Sequence, residues 1–324
     1  EKDSLGNDYD ADAEYDEEKV ITVNNATELT QAVKSAEDGA IVRLGANVET
    51  SSKIAVNKPL AFDLAGFKLS GTAQYTLQLS AGAQITVTDS SDGATGVITN
   101  TYSGSANPAT VDLQGANAVF TLESGKVESN TKDNLYTIAI SNSKKTACTV
   151  NINGGTVCNP DGHTKSRAIS ASNGMTVNIN GGTVSGGLYA LDTYAGSVSN
   201  INGGKLFANA IDGRSDNYGT SYAIHSKGEA EINIGSASAA TSPNVKGIKF
   251  ESSGVKTELP TINLVKGEIT NPIYSLEKSY NYSLFKLGIT ADSPVTFTDD
   301  TASYFLADNL QMVESNGIWR VTSK

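Results

Sequence analysis

A short phrase, Val-Asn-Ile-Asn-Gly-Gly-Thr-Val, occurs twice in this chain, at 150–157 and again at 177–184. A close variant, Ser-Asn-Ile-Asn-Gly-Gly-Lys-Leu, follows at 199–206. Similar segments that recur every ~20–45 residues are typical of repeat proteins, in which a repeat buries its apolar face only by stacking on its neighbours. The chain is therefore expected to fold as a stack of similar coils.

Aliphatic and polar residues alternate before the glycines of each copy. In the first copy, Val150 and Ile152 would face the interior, while Asn151 and Asn153 would face outward, as in a strand with one buried face. The glycine pair predicts a corner, because glycine adopts positive φ angles that other residues resist. Each coil is predicted to run strand, turn, strand, glycine corner, strand, then a loop of variable length.

Two other repeat architectures fit less well. A propeller needs longer blades with antiparallel hairpins, and a leucine-rich repeat needs its own leucine spacing; the sequence has neither pattern. A parallel β-helix is therefore the predicted fold. Weaker copies of the repeat extend the prediction in both directions, at 119–127, 231–235 and 262–269.

The segment before the repeats predicts a cover for one end of the stack. Asn25 can cap a helix that ends at the Asp-Gly pair 38–39. The run Ile-Val-Arg-Leu at 41–44 then predicts a strand. Such a cover is needed, because the first coil of a solenoid otherwise exposes its interior to water. The apolar face of the helix would consist of Leu29, Ala32, Val33 and Ala36.

These repeats, together with the stretch 23–71, resemble the pectin-lyase-like superfamily of right-handed parallel β-helices. The resemblance covers most of 20–271 and implies an all-β, right-handed parallel β-helix with an N-terminal capping helix and a C-terminal β cap. It also implies asparagine ladders between coils. The superfamily contains lyases, hydrolases, esterases, phage tailspikes and non-catalytic surface proteins, so the resemblance implies a fold and singles out no chemistry. The ladder positions would be Asn151, Asn178, Asn200, Asn233 and Asn263, with Asn153, Asn180 and Asn202 beside the glycines.

Three segments follow from this reading. Residues 1–19 are predicted to form an acidic, disordered tether, residues 20–271 the β-helix with its N-terminal cap at 20–71, and residues 272–324 a C-terminal cap of the same domain. In that cap, the Asn-Gly pair at 316–317 predicts a β-hairpin. Its apolar residues would be Leu310, Met312, Ile318 and Trp319.

Most of the negative charge of the chain lies at its start. Residues 1–18 contain nine acidic residues and one lysine, which accounts for most of the formal net charge of −11. A nucleic-acid partner is not expected, because such binding requires a basic face. Acidic spacers of this kind resemble those of lipid-anchored bacterial surface proteins. The resemblance implies an exported protein at the outer-membrane or extracellular surface, held to the membrane only through an N-terminal lipid anchor, and a monomer.

The chain has two cysteines. Cys148 shares the inward parity of Val150, whereas Cys158 follows the glycine corner, so their strands diverge. A buried thiol and a separate, partly exposed thiol are favoured over a disulfide, although the sequence leaves the pairing open. No cofactor or metal site is predicted, since two cysteines do not make a zinc site without histidines and His163 stands alone in a loop.

One column of residues along the outside of the stack collects acidic groups and a histidine. Each follows the inward aliphatic residue of the first strand of its coil, and neighbouring coils lie ~4.8 Å apart. Asp192 and Glu251 would then be separated by roughly 10 Å, near the upper limit for the two carboxylates of an inverting glycosidase. The predicted column is Ser80, Gln114, Ser141, Ser170, Asp192, His225, Glu251 and Glu277.

Two functions are compatible with this column. The favoured one is a non-catalytic binding or adhesive module for glycans, because tyrosines near the column can stack on sugar rings. Its predicted ligand-binding residues are Tyr189, Tyr194, Asp212, Tyr218 and Tyr222. The alternative is a divergent polysaccharide lyase or glycoside hydrolase, with candidate catalytic residues Asp192, His225, Glu251 and Arg214.

The catalytic alternative is the weaker one on sequence grounds. Hydrolases of the resembled superfamily share Asn-Thr-Asp, Asp-Asp and Gly-His-Gly clusters, and none of these occurs within the repeats. Its lyases place an arginine or lysine base beside calcium-binding carboxylates. No acidic cluster is expected beside any of the four arginines of the chain, which are Arg43, Arg167, Arg214 and Arg320.

Overall fold

The structure is a computed structural model, and it describes residues 19–131, 137–159, 165–209, 222–275 and 284–324. The chain forms a right-handed parallel β-helix, which confirms the predicted fold class. Three long sheets run along the stack, and each coil contributes one strand to each of them. We call them sheets 1, 2 and 3, in the order in which the chain visits them within a coil.

Among the described residues, sheet 1 contains nine parallel strands: β4 (Ile54–Val56), β7 (Tyr75–Leu79), β10 (Ala109–Leu113), β13 (Ile138–Ser141), β16 (Arg167–Ala171), β19 (Tyr189–Tyr194), β22 (Ile224–Lys227), β25 (Ile248–Glu251) and β28 (Ile273–Ser275). Sheet 2 contains ten within the same residues: β1 (Val20–Val23), β2 (Ile41–Leu44), β5 (Pro59–Asp63), β8 (Gln84–Thr88), β11 (Ala118–Leu122), β14 (Cys148–Ile152), β17 (Met175–Ile179), β20 (Val198–Ile201), β23 (Glu231–Ile234) and β26 (Thr261–Leu264).

Sheet 3 has twelve strands in the part of the chain that the structure describes, and it ends in an antiparallel hairpin formed by the last two of them. Its strands are β3 (Val48–Thr50), β6 (Lys68–Gly71), β9 (Val97–Asn100), β12 (Lys126–Ser129), β15 (Thr156–Cys158), β18 (Thr183–Gly186), β21 (Lys205–Ala208), β24 (Asn244–Val245), β27 (Gly267–Ile269), β29 (Val295–Phe297), β30 (Leu310–Ser315) and β31 (Ile318–Ser323).

The repeated phrase sets the register of the stack. Ile152 pairs with Ile179, which pairs with Ile201, and all three side chains are fully buried. The glycine corner between sheets 2 and 3 also stacks from coil to coil. Gly182 has a φ of 72°, and a Cβ added to it would lie 2.5 Å from the carbonyl oxygen of Gly155 in the preceding coil. Glycine is therefore required both for the turn and for the close approach of neighbouring coils.

The predicted asparagine ladders are present on the outer face of sheet 2 and at the corner beside it. Asn178 Nδ2 donates to Asn151 Oδ1 at 2.9 Å, and the same contact recurs at 2.9, 2.9 and 2.8 Å through Asn200, Asn233 and Asn263. At the corner, Asn180 donates to Asn153, and Asn202 donates to Asn180, at 2.8 and 2.9 Å. Each amide thus ties two coils together, at about 0.5–1.5 kcal/mol per bond.

The N-terminal helix α1 (Ala26–Ser35) covers the first coil as predicted. The Asn25 side chain accepts a hydrogen bond from the backbone N–H of Glu28 at 3.0 Å, and the Glu28 carboxylate accepts from the backbone N–H of Asn24 at 2.7 Å. The first contact is an N-cap bond, which satisfies one of the free donors at the helix start, and the second holds the residue that precedes the cap. Leu29 and Val33 lie on the buried face of the helix.

The opposite end of the stack is closed by aromatic packing and by the hairpin. Phe250, Phe285 and Phe305 form a cluster with ring centroids 4.2–5.7 Å apart. The hairpin turns at the predicted Asn-Gly pair, but its inward residues differ in part: Ile318 is exposed, whereas Val321 is buried. Sheets 1 and 3 also continue through β28 and β29, so regular coils extend into the segment predicted to be the cap.

The two cysteines are not joined in a disulfide. Cys148 is buried in sheet 2, where burial raises the pKa of its thiol to about 12. Cys158 lies in sheet 3, in register with Glu128 and Ser185. The divergence of their strands that was expected from the sequence is confirmed.

Among the described residues, no helix has the length and apolar composition needed to cross a membrane.

Candidate functional site

The outward column predicted from the sequence is correct only in its middle. Ser141, Ser170, Asp192 and His225 pair in consecutive strands of sheet 1, as expected. Towards both ends the register differs by two residues. Gln78 and Asp112 take the places predicted for Ser80 and Gln114, and Lys249 takes the place predicted for Glu251. Glu277 lies outside the described residues.

Asp192 lies at the centre of a buried cluster. Its side chain has no exposed surface, although its position in the strand predicts an outward one. Asp192 Oδ2 forms an ion pair with Arg167 Nε from the preceding coil and accepts a hydrogen bond from the Tyr194 hydroxyl at 2.8 Å. Asp192 Oδ1 lies 2.7 Å from His225 Nδ1 in the following coil. Both carboxylate oxygens are therefore already used within the protein.

His225 connects Asp192 to Glu251. While its Nδ1 contacts Asp192, its Nε2 lies 3.3 Å from Glu251 Oε1. Its ring stacks on Tyr189, with centroids 4.5 Å apart and planes 13° from parallel. Lys227 Nζ also lies 3.3 Å from Glu251 Oε1, so this oxygen is shared between the two groups. Glu251 pairs with Lys227 in the parallel register. Its side chain extends along the sheet to His225, which lies two residues before Lys227.

The pKa values in this cluster reflect mutual stabilisation of charge. Burial alone would lower the pKa of His225, but the contacts with Asp192 and Glu251 outweigh it, and the pKa is raised above its ordinary value of 6.5. Burial would likewise raise the pKa of Asp192, but His225 and Arg167 together hold it below its ordinary value of 3.8. The hydrogen bond from His225 lowers the pKa of Glu251 below 4.5. The favoured state is an imidazolium between two carboxylates.

This arrangement predicts a stability maximum in mildly acidic solution. Because the pKa of His225 is raised on folding, its contribution is complete below pH 6.5 and is lost as the pH rises through its folded value. Because the pKa values of Asp192 and Glu251 are lowered, their contributions are complete above pH 4.5 and are lost in acid. Urea unfolding, followed by circular dichroism from pH 4 to 9, is expected to give the highest midpoint between pH 4.5 and 6.5.

The second histidine of the chain provides the control for this prediction. In His225→Gln, the loss of stability above pH 6.5 should disappear, whereas His163→Gln should retain it. Equal pH profiles for wild type and His225→Gln would show that the cluster does not couple protonation to folding.

A groove runs along the outer face of sheet 1 beside this cluster. It has a volume of about 500 Å³ and crosses seven successive coils, from Tyr75 in β7 to Ser253 just after β25. At ~4.8 Å per coil, this corresponds to a length of roughly 29 Å. Its described lining is rich in hydroxyl and amide groups, and its charged members are Lys145 and Lys227. The groove thus combines hydrogen-bonding groups, two tyrosines and two lysine ammonium groups.

The predicted ligand-binding residues are distributed unequally. Tyr194 lines the groove. Tyr189 and Tyr222 are buried; Tyr189 stacks on His225 and Tyr222 stacks on Tyr274, with centroids 5.8 Å apart. Neither ring offers an exposed face to a ligand, because both side chains are buried. Asp212, Tyr218 and the candidate catalytic Arg214 lie outside the described residues.

Two buried groups of sheet 1 were missed by the sequence analysis. Arg167 pairs with one carboxylate, that of Asp192, and Arg43 pairs with another, Asp63 Oδ2, at 2.7 Å; neither pair was predicted. Asp112 is buried beneath the groove and accepts hydrogen bonds from Ser141 Oγ and Ser143 Oγ, both at 2.6 Å. The signal for Arg167 is its place in the strand of sheet 1 that precedes the strand of Asp192, because stacking brings side chains of neighbouring coils together.

The described residues contain no group of three or more histidine, cysteine or acidic side chains arranged to hold a metal ion. The chain matches no protein-family model, no curated protein and no solved structure. Inference about function therefore rests on the geometry of sheet 1 and its groove.

Proposed function

We propose that the protein binds an extended glycan in the groove of sheet 1 and does not cleave it. The observation that carries this proposal is the groove itself, which crosses seven coils and is lined by serine, asparagine, tyrosine and lysine side chains. Hydroxyl and amide groups match the many hydroxyls of a sugar chain, and tyrosine rings can pack against its apolar faces. A site of roughly 29 Å suits a polymer better than a single small molecule.

The burial of Asp192 supports binding over catalysis. A glycosidase of the inverting type needs two carboxyl groups that flank the scissile bond, one to protonate the leaving group and one to activate water. Asp192 has no exposed surface, and its oxygens are held by Arg167, Tyr194 and His225. Its place in the structure suits a support for the groove better than a group that contacts substrate.

The proposal also includes export of the protein and its attachment at the cell surface. The acidic segment 1–18 and the resemblance of the repeats to surface β-helix proteins support it. In such a location, a groove for extended glycans would serve adhesion or retention of polysaccharide. Incorporation of labelled palmitate by the protein in cells would test the lipid anchor.

Affinity electrophoresis tests the binding proposal directly. Gels that contain dextran, xylan, hyaluronan or heparin are expected to retard the wild type with at least one polymer. Lys145→Gln should then weaken that binding by about tenfold, because a hydrogen bond to a charged group is lost. Asn173→Trp should abolish it by filling the groove, which Asn173 lines.

Lys144 supplies a matched control, because it is exposed and adjacent to Lys145 but does not line the groove. Lys144→Gln should bind as the wild type does. Unchanged migration in all four gels, or equal losses in the two lysine variants, would count against the groove as a glycan site. Release of reducing ends or unsaturated products, abolished by Glu251→Gln, would instead favour the enzymatic alternative.

A further inference from the structure

Two side chains of the groove contact the carboxylates that His225 joins. The Tyr194 hydroxyl donates to Asp192 Oδ2 at 2.8 Å, which fixes one end of its ring. Lys227 Nζ lies 3.3 Å from Glu251 Oε1, which fixes its ammonium group at the edge of the groove. Both residues line the groove, so the position of its surface depends on where these two carboxylates lie.

His225 contacts both of these carboxylates, which lie in the coils before and after its own. Asp192 lies in β19, His225 in β22 and Glu251 in β25. The imidazole contacts one carboxylate through Nδ1 at 2.7 Å and the other through Nε2 at 3.3 Å. Ionised carboxylates only accept hydrogen bonds, so both contacts are satisfied only when both ring nitrogens carry protons. The geometry is that of an imidazolium.

We propose that His225 is a positioning residue of the groove, which holds Lys227 in place through Glu251 while its ring is protonated and anchored on Asp192. This inference deepens the proposed function, since the groove is the glycan site, but the coupling itself belongs to the free protein. Loss of one proton turns one ring nitrogen into an acceptor that faces a carboxylate oxygen. The Glu251 contact is then the one to break, because it is the longer and Glu251 is the more exposed carboxylate.

The groups around His225 determine which of its contacts is lost when the ring gives up a proton. Asp192 and Glu251 face its nitrogens, and Tyr189 stacks on its ring. Arg167 and Tyr194 bind the far side of Asp192, which keeps that carboxylate ionised and in place when the proton leaves. Lys227 shares Glu251 Oε1, and Lys249 follows His225 in register on β25. The side chains that can move are therefore those of Glu251 and Lys227, at the edge of the groove.

The test follows the protein by NMR without any glycan. With ¹³C-labelled lysine, tyrosine and histidine, the Lys227 Cε resonance is expected to shift with the same pH midpoint as the His225 imidazole, above 6.5. His225→Gln should abolish this pH-dependent shift of the Lys227 resonance. Glu251→Gln should also abolish the shift, while leaving the His225–Asp192 contact in place. His163→Gln should leave the shift unchanged.

Two results would overturn the inference. One is a Lys227 resonance that stays constant while His225 titrates in the folded protein, which would make the cluster purely structural. The other is a Lys227 shift that persists in the folded Glu251→Gln variant. A protein that retains the coupled titration but binds none of dextran, xylan, hyaluronan or heparin would contradict the proposed function and leave the positioning role intact.

Discussion

Replacing Asp192 by alanine is expected to lower the free energy of unfolding by about 3–5 kcal/mol, because it leaves buried charges without their partner. Arg167 and His225 both pair with this carboxylate, and their side chains are almost fully buried. The Tyr194 hydroxyl would also lose its acceptor. Equilibrium urea unfolding at pH 6, where His225 is protonated, measures the loss.

Asp308 provides the comparison for a carboxylate at the surface. It is fully exposed and lies 3.9 Å from Lys286 Nζ, so Asp308→Ala should leave the urea midpoint almost unchanged, because water screens such a pair. A loss at Asp192 that is no larger than the loss at Asp308 would contradict the buried cluster. The Asp192→Asn variant, which keeps the volume of the side chain, separates loss of charge from loss of packing.

Replacing Gly182 by alanine is expected to cost about 2–5 kcal/mol, as the sum of a backbone term and a steric term. Its φ of 72° is unfavourable for any residue with a Cβ. The added Cβ would also lie 2.5 Å from the carbonyl oxygen of Gly155, a backbone atom that cannot rotate away. The coils on either side of the corner would have to move apart.

Gly317 separates the cost of the positive φ angle from the cost of the steric contact. Its φ is 76°, but a Cβ at this position would have no atom within 4 Å. Gly317→Ala should therefore cost only about 1–2 kcal/mol. Thermal unfolding of both variants, compared with the wild type, gives the difference. Equal losses would indicate that stacking of the glycine corner contributes little beyond the turn itself.

The local features of the fold could be predicted from the sequence because each depends on neighbouring residues. Alternation around Ile152 identifies the buried face of a strand, and the glycines after it identify the corner. Asn25 and Glu28 lie three residues apart and form the predicted helix start. The asparagine ladder followed from identical positions in successive copies of the repeat, because parallel stacking brings identical positions together.

The register towards the ends of sheet 1 could not be predicted in the same way. The loops between sheets 3 and 1 vary in length, so counting residues from one coil to the next does not fix which residue pairs with which. Glu251 illustrates this: it pairs with Lys227 and not with His225, yet its side chain still reaches the imidazole. The predicted column placed Glu251 directly beside His225 in the next coil, through a register that the structure does not have.

The sequence by itself determined the stacked architecture, the residues of the apolar interior and the positions of the glycine corners, because these follow from alternation and from the φ angles that glycine permits. Only the tertiary structure decided which outward residues are exposed. Asp192 points away from the core of its own coil, but side chains from the coils before and after it enclose its carboxylate. Exposure depends on neighbours that are 25 and 33 residues away, and no local pattern encodes their arrangement.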